Sequence, residues 1–511
     1  MIFFIMINDL NKSGFVYRDS DIAIIGAGTV GIILSSLLVK KGFSIITLES
    51  GSEYQKTETH QLNQVVNKKS IYHSAQKGRF RCLGGTSTRW GGAILPFSSK
   101  DIELSGWPIS NKEITRYQKK VEDLFGVSAG NYDDPDIFFN NSDFIARYCK
   151  YPKFKNRNTS LIFSKDLNSQ KGPNIWLNST VNEFILKKKL LYKIKAYSKD
   201  GSNITVKAKK FIFAAGAIET TRLLLLMDQQ NKNIISKKTT MLGKFFCDHI
   251  SVPIATIKAT DKNQLNRIFS YNFNKDIKKL RIEMKKNSKL RKLLPPFFAH
   301  IPTSTNNDPA YKNIRRIFRL IQKKKIPKLK YFAVILKSLP WFFRAIWWRL
   351  IEKRFLFSDY LKLEIHLVIE QVSKISNKII LSKKKRDFFN RYLPEIHWKV
   401  NNEDVNNIIL ARNHLNHFWN NSYLSSLGKI KIKNKEDILK NIKKVGGIHH
   451  PTGSTRMSKF SKKGVVNKNL QLFSIKNVNI ISTSTFPTGG GGNPTMTLIM
   501  LTMKFINSIK I

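Results

Sequence analysis

The chain has 511 residues, too many for one ordinary hydrophobic core, so two or three domains are expected. A hydrophobic fraction of 41% with 34 Phe excludes a disordered protein, and three scattered cysteines, Cys82, Cys149 and Cys247, exclude a disulfide framework and fit a reducing compartment. The formal charge of +53 raises nucleic acid or an anionic membrane as partner, yet lysines run along nearly the whole chain beside abundant Asn and Ile, and no nucleic-acid motif occurs, so nucleic acid is not expected.

Met1 to Ile7 is apolar but too short for a signal-peptide core, and Asn8, Asp9 and Asn11 follow it, which favours a cytoplasmic protein. Residues 21–50 then read as strand (DIAII), glycine turn, helix (IILSSLLVKKG) and strand (FSIITLES), one βαβ unit. Within it Gly26, Gly28 and Gly31 form G-x-G-x-x-G directly after the strand and at the helix start. The first glycine permits the turn, the second lets backbone approach a pyrophosphate at the helix N-terminus, and the third lets helix pack on strand. Glu49 ends the next strand, where a carboxylate accepts hydrogen bonds from an adenosine ribose. The motif predicts dinucleotide binding without choosing between nicotinamide and flavin.

A glycine-rich loop, RCLGGTSTRWGG, follows at 81–92, then a strand-like NSTVNEFIL containing Val181, then a strand leading into a helix, KKFIFAAGAIETTRLLLL, at 209–226. Between about 255 and 440 these signals vanish into a Lys-rich stretch broken at Pro295, Pro296, Pro327 and Pro340, assigned to a separate substrate domain. Its segment 311–355 holds fourteen Lys or Arg against a single Glu352, with Trp341, Phe342, Phe343, Trp347 and Trp348. Two readings stand: a basic aromatic stretch lying on an anionic membrane, and a helix packing its aromatics into the substrate domain, the commoner fate of aromatics. No apolar run is long enough to span a bilayer. The tail returns to glycine loops, GGIHHPTGSTRM at 446–457 and FPTGGGGNPTMT at 486–497, and ends in an apolar helix, PTMTLIMLTMKFI.

Together, the first 105 residues, the GAIETTRLLL segment and the block 446–511 resemble the glucose-methanol-choline (GMC) oxidoreductase family. The resemblance implies an α/β fold, a Rossmann-like FAD-binding domain with an inserted α+β substrate-binding domain, and FAD as cofactor. It divides the chain into a discontinuous FAD domain (18–105, 170–252, 445–511) and a cap (106–169, 253–444). It implies cofactor contacts at Gly26, Gly28, Thr29, Val30, Gly31 and Glu49, and at Gly84, Gly85, Thr86, Ser87, Trp90, Gly91 and Gly92 of the loop near the flavin. Val181 matches an adenine contact, Ala215 and Gly216 a small-residue turn, and Ser482, Thr483, Pro494 and Thr495 further contacts. Arg89 stands where some relatives carry a histidine that links to FAD, so the flavin is expected to be noncovalent. Ser482 stands where relatives usually have an aspartate. Asp248 and His249 match another hallmark, read as structural.

By its H-x-x-G spacing, His450 rather than His449 matches the catalytic histidine, and Asn493 falls where relatives carry a histidine or asparagine. Alcohol oxidation needs such a pair: hydride loss from carbon requires a base for the hydroxyl proton, which neutral imidazole supplies, while an amide orients the oxygen. No metal is expected. The expected partners are a small hydroxylated substrate, a sugar, polyol or related alcohol, and an electron acceptor that the sequence does not name; dehydrogenase is favoured over oxidase. Alternatives are a flavoenzyme at the inner membrane face acting on a lipid-linked or hydrophobic alcohol, and a non-redox FAD-binding member.

Overall fold

A computed structural model describes residues 7–137, 143–303, 308–322, 326–336, 338–445 and 447–510. Of the apolar opening run, only Ile7 lies among them.

The run Ile22–Ile25 is buried throughout, which is how a strand covered on both faces of a parallel sheet reads in sequence. It ends the strand Phe15–Ile25, the centre of an eight-stranded sheet. Parallel to it run Ile45–Leu48 on one side and Asn203–Phe213 on the other, with Asn174–Leu177 and Ile7–Asp9 completing the first edge. Asn203–Phe213 is long enough to take two neighbours on its far side. Its first half pairs antiparallel with Leu190–Tyr197, and its last three residues pair parallel with Val478–Ile480, so the tail of the chain returns to the sheet.

Between Ile25 and the helix Thr29–Val39 the chain turns at Gly26, whose φ of +103° suits glycine. At Gly31 a Cβ would lie 1.8 Å from the Gly26 carbonyl oxygen, so only glycine lets the helix start this close to the turn.

A second, seven-stranded sheet is antiparallel, in the order Gly428–Ile432, His249–Ala259, Glu364–Glu370, Phe297–His300, Ile277–Met284, Phe144–Tyr151 and Asp133–Asp134. It has its own hydrophobic core, in which Phe144, Leu280, Phe297 and Leu367 pack with Phe418 and Trp419 of the helix Asn402–Asn420. A third, three-stranded sheet joins Val66–Lys69 to the hairpin of Lys378–Arg386 and Tyr392–Trp398.

The aromatic basic stretch resolves into two behaviours on one helix, Leu339–Leu350. Trp341 and Trp348 are buried together with Leu356. Leu339, Phe343, Ile346, Trp347 and Leu350, at i, i+4, i+7, i+8 and i+11, form a second apolar stripe facing outward, with Phe343 68% and Leu350 67% exposed. The tryptophan pair is therefore split: packing into the domain holds for Trp348 and not for Trp347. Among the described residues, no helix is long and apolar enough to cross a membrane.

Candidate active site

Two adjoining cavities lie where the parallel and antiparallel sheets meet. The first, about 1350 Å³, runs along the glycine turn and helix start, past Glu49, Arg79 and Arg81, to His450 and Thr495. The second, about 1730 Å³, shares Thr29, Thr86, His449, His450 and Thr495 and extends over Tyr151, Lys279, Arg281 and Phe298 of the antiparallel side.

Most of the residues expected to touch a cofactor line these spaces. Gly26, Gly28, Thr29, Val30, Glu49, Gly85, Thr86, Val181, Ala215, Gly216, Ser482, Thr483, Pro494 and Thr495 line the first, and Ser87, Trp90, Gly91 and Gly92 line the second. Gly31 and Gly84 line neither. Gly31 is consumed by helix–turn packing, and Gly84, at φ +84°, donates its amide to the Ala27 carbonyl at 2.9 Å, locking the loop against the turn.

The cavity fits a dinucleotide on three counts. A Cβ at Gly28 would meet nothing within 4 Å, so the backbone there faces open space. No side chain caps the N-terminus of Thr29–Val39, which leaves first-turn amides for an anion. Arg79 Nη1, 3.8 Å from Glu219 Oε2, is buried beside the first cavity and, among the described residues, has no hydrogen-bond partner. Glu49 is buried; its Oε1 accepts from the Gly51 amide (2.8 Å) and the Ser50 hydroxyl (3.3 Å), and its Oε2 accepts from the Ala27 amide (2.9 Å) and keeps a second lone pair for a hydroxyl. Burial pushes its pKa up, while those amides oppose the rise.

An arginine cluster that sequence reading did not pick out flanks this end. Arg81 donates to Glu219 at 2.7 Å and to Asn63 at 2.8 Å, and Arg391 and Arg222 close on Glu219 and Asp387. Burial alone would raise Glu219; the guanidiniums of Arg81, Arg222 and Arg391 override it and hold the carboxyl well below its usual range. The one sequence trace is the pair of arginines in GRFRCLGG, just before the glycine loop.

At the junction of the cavities, the fold brings His450 and Asn493 together, with Asn493 Nδ2 3.0 Å from His450 Nε2. Asn493 is the N-cap of the helix Pro494–Ser508, where asparagine usually caps its own helix; here its side chain makes no cap and turns instead to Arg281 and His450. Arg281, from the strand Ile277–Met284, donates to Asn493 Oδ1. His450 Nδ1 lies 3.2 Å from His249 Nδ1, and His249 Nε2 lies 2.6 Å from the Gly490 carbonyl.

These contacts fix every proton. A guanidinium has donors only, so the Asn493 oxygen faces it and the amide nitrogen faces His450. Nε2 of His450 must then accept, which puts the ring proton on Nδ1, donating to His249. His249 in turn carries its proton on Nε2 and donates to Gly490. The result is one directed chain, Arg281 to Asn493 to His450 to His249 to Gly490, in which the lone pair of His450 Nε2 faces the Asn493 amide.

Asp248 anchors the pair from below: its Oδ1 accepts from the backbone amides of His249 (2.7 Å) and His450 (2.9 Å), and Tyr72 donates to its Oδ2. Asp248 is structural, as expected. His249 is more than that, because it holds the tautomer of His450. Burial pushes His249 down to about 4 and His450 well below 6.5, the latter assisted by repulsion from His249, Arg281 and His449, so both rings stay neutral. His449 also borders the cavities, but it is exposed, with its amide on Ser74 and its ring next to Gly78. Asp248, His249 and His450 bring donor atoms within 4.8 Å of one another, the one such group among the described residues; the atoms facing each other are engaged in the hydrogen bonds above.

Residues 374–502 match the family model for GMC oxidoreductase. Over that stretch, about a quarter of the chain, the sequence is similar to the GMC oxidoreductases. Members of this family are FAD-dependent oxidoreductases acting on alcohol or CH–OH donors. Two solved structures share the fold across its length. Pyridoxine 4-oxidase from Mesorbium loti is 12% identical with a TM-score of 0.57, covering 95% of this chain and 98% of its own. Formate oxidase from Aspergillus oryzae, in an R554K variant, is 13% identical with a TM-score of 0.55, covering 96% and 98%. A search of curated protein sequences gave no match. The matched segment contains His450, Asn493 and the loops that place them, while Arg281 and His249 lie outside it.

Proposed function

We propose that the protein oxidises a CH–OH group of a sugar, polyol or related alcohol to the carbonyl, with His450 as base. The observation that carries this reading is the directed hydrogen-bond chain, which fixes Nε2 of a neutral, half-buried imidazole as an acceptor facing the amide donor of Asn493. A substrate hydroxyl that replaces the hydrogen bond between these two side chains gives its proton to His450 Nε2 while its oxygen accepts from Asn493 Nδ2. FAD, when bound, supplies the acceptor for the hydride. Its pyrophosphate would lie on the amides of Gly28, Thr29 and Val30, its ribose on Glu49 and its adenine near Val181. We read the flavin as noncovalent, because Arg89 occupies the loop position from which a histidine links in some relatives. The electron acceptor is proposed to be other than oxygen.

The test is anaerobic reduction of the purified yellow protein by a panel of sugars, polyols and other alcohols. Bleaching of the visible flavin band by one class supports the reading. If dithionite bleaches the band and no alcohol does, a non-redox role replaces it.

A second reading concerns where the enzyme works. The outward stripe of Leu339–Leu350, on a segment with fourteen cations and one Glu352, favours contact with an anionic membrane surface. Pelleting with phosphatidylglycerol vesicles, and its loss in Phe343→Glu/Trp347→Glu, is expected. Failure of the unmutated protein to pellet at low salt removes this reading and leaves the first intact.

A further inference from the structure

The strand Ile277–Met284 carries Lys279, Arg281 and Glu283 on one face, at period two, and all three are buried. Lys279 and Arg281 are each 6% exposed. A chain this basic scatters lysine over its surface, but composition does not explain cations inside it, since an unpaired buried charge is unfavourable.

Neighbouring arginines show how this protein normally settles a buried cation. Arg147, directly across the sheet from Arg281, pairs with Asp133 at 2.8 Å and Glu283 at 2.7 Å, and Arg291 pairs with Asp101 at 2.9 Å. Among the described residues, neither Lys279 nor Arg281 has a carboxylate within ion-pair distance. Arg281 holds Asn493 through Nη2, while its Nη1 is buried and, among the described residues, has no hydrogen-bond partner. Among the described residues, Lys279 Nζ hydrogen-bonds only to Thr303 Oγ1, at 3.4 Å, and lies over the Tyr271 ring. Burial and the repulsion of Arg281 push Lys279 down to about 7, the state of an amine still waiting for a counter-ion.

Both side chains line the 1730 Å³ cavity that His450 borders, and none of its described lining residues is Asp or Glu. We infer that the substrate carries an anionic group, a carboxylate or a phosphate, which Arg281 and Lys279 bind beside the reacting alcohol. The unoccupied guanidinium edge suits an oxyanion, and the ammonium adds a second charge from two residues along the same strand face. Because Arg281 is bonded to Asn493, the anion would sit close to the oxygen that Asn493 orients. Only this placement beside a reacting alcohol rests on the proposed function; the anion site itself does not.

The FAD-loaded protein is titrated calorimetrically with acetate, with inorganic phosphate and with glycerol, in chloride at constant ionic strength. Saturable binding of at least one anion, and none of glycerol, is expected; acetate alone identifies a carboxylate, phosphate alone a phosphate. Lys279→Met, which leaves the Asn493 contact in place, should weaken that binding at least about tenfold, and Arg281→Lys should weaken it with flavin content unchanged. Absence of anion binding, or equal binding by Lys279→Met and the parent, overturns the inference. A protein that binds anions but is bleached by no alcohol would instead sink the proposed function and spare this site.

Discussion

The two sheets meet at one cavity and treat charge in opposite ways. The parallel sheet offers mainly backbone, a glycine turn, an uncapped helix start and loop amides with fixed dipoles, and the buried arginines beside them, Arg81, Arg222 and Arg391, are paired with Glu219 and Asp387. The antiparallel sheet offers basic side chains, Lys279 and Arg281, held in a buried wall. Backbone recognition is generic and suits a cofactor common to a whole family. Side-chain recognition can be rewritten residue by residue, so it is where this enzyme's own specificity belongs.

The sharpest way to break this comparison is at the turn. Gly31→Ala puts a methyl carbon 1.8 Å from the Gly26 oxygen, backbone against backbone, so nothing yields cheaply. A loss of more than about 4 kcal/mol and a colourless, poorly soluble product are expected. Gly28→Ala should differ in kind, since its Cβ meets only open space. The apoprotein should melt near the parent, while FAD affinity falls. Matching melting losses in both variants would mean that the cavity at Gly28 does not receive the cofactor.

Next in size is the base. His450→Ala should keep its yellow colour and lose alcohol-driven flavin reduction by roughly 10² to 10⁴, the range of positioned acid–base catalysis. His449→Ala, whose ring is exposed, should lose far less. Stopped-flow reduction of both variants checks the assignment, and equal losses would reverse it.

This contrast between the halves also explains what could be read in advance. Buried apolar runs such as Ile22–Ile25, the spacing of Gly26, Gly28 and Gly31, and the pairing of His450 with Asn493 leave residue-type traces, because backbone geometry and proton chemistry tolerate few alternatives. Lys279 and Arg281 left none. In KKLRIEM they alternate with Leu280, Ile282 and Met284, which by period two describes one wet face, and only the packing of the cavity wall reveals both faces as buried. His249 was legible as part of a structural Asp–His pair, but its role toward His450, 201 residues away, exists only in the fold.

The smallest expected effect tests that role through pH. His450 acts only when neutral, and its pKa lies well below 6.5 because of burial and, next, His249. Flavin reduction should therefore stay level as pH falls through 6.5, with the acid limb appearing only below it; a midpoint at or above 6.5 would contradict the neutral chain. His249→Gln removes the nearby imidazole and the tautomer lock, so the rate should fall about tenfold and the limb should move up toward 6.5, whereas a purely structural residue would lower the rate without moving it. Stability gives an independent check. His249 titrates at about 4 when folded and near 6.5 when unfolded, so the unfolded chain binds the extra proton between those values. Its contribution is complete above 6.5 and is lost as pH falls toward 4, on the order of 3 kcal/mol, and denaturant unfolding of His249→Gln should show a shallower decline across that interval.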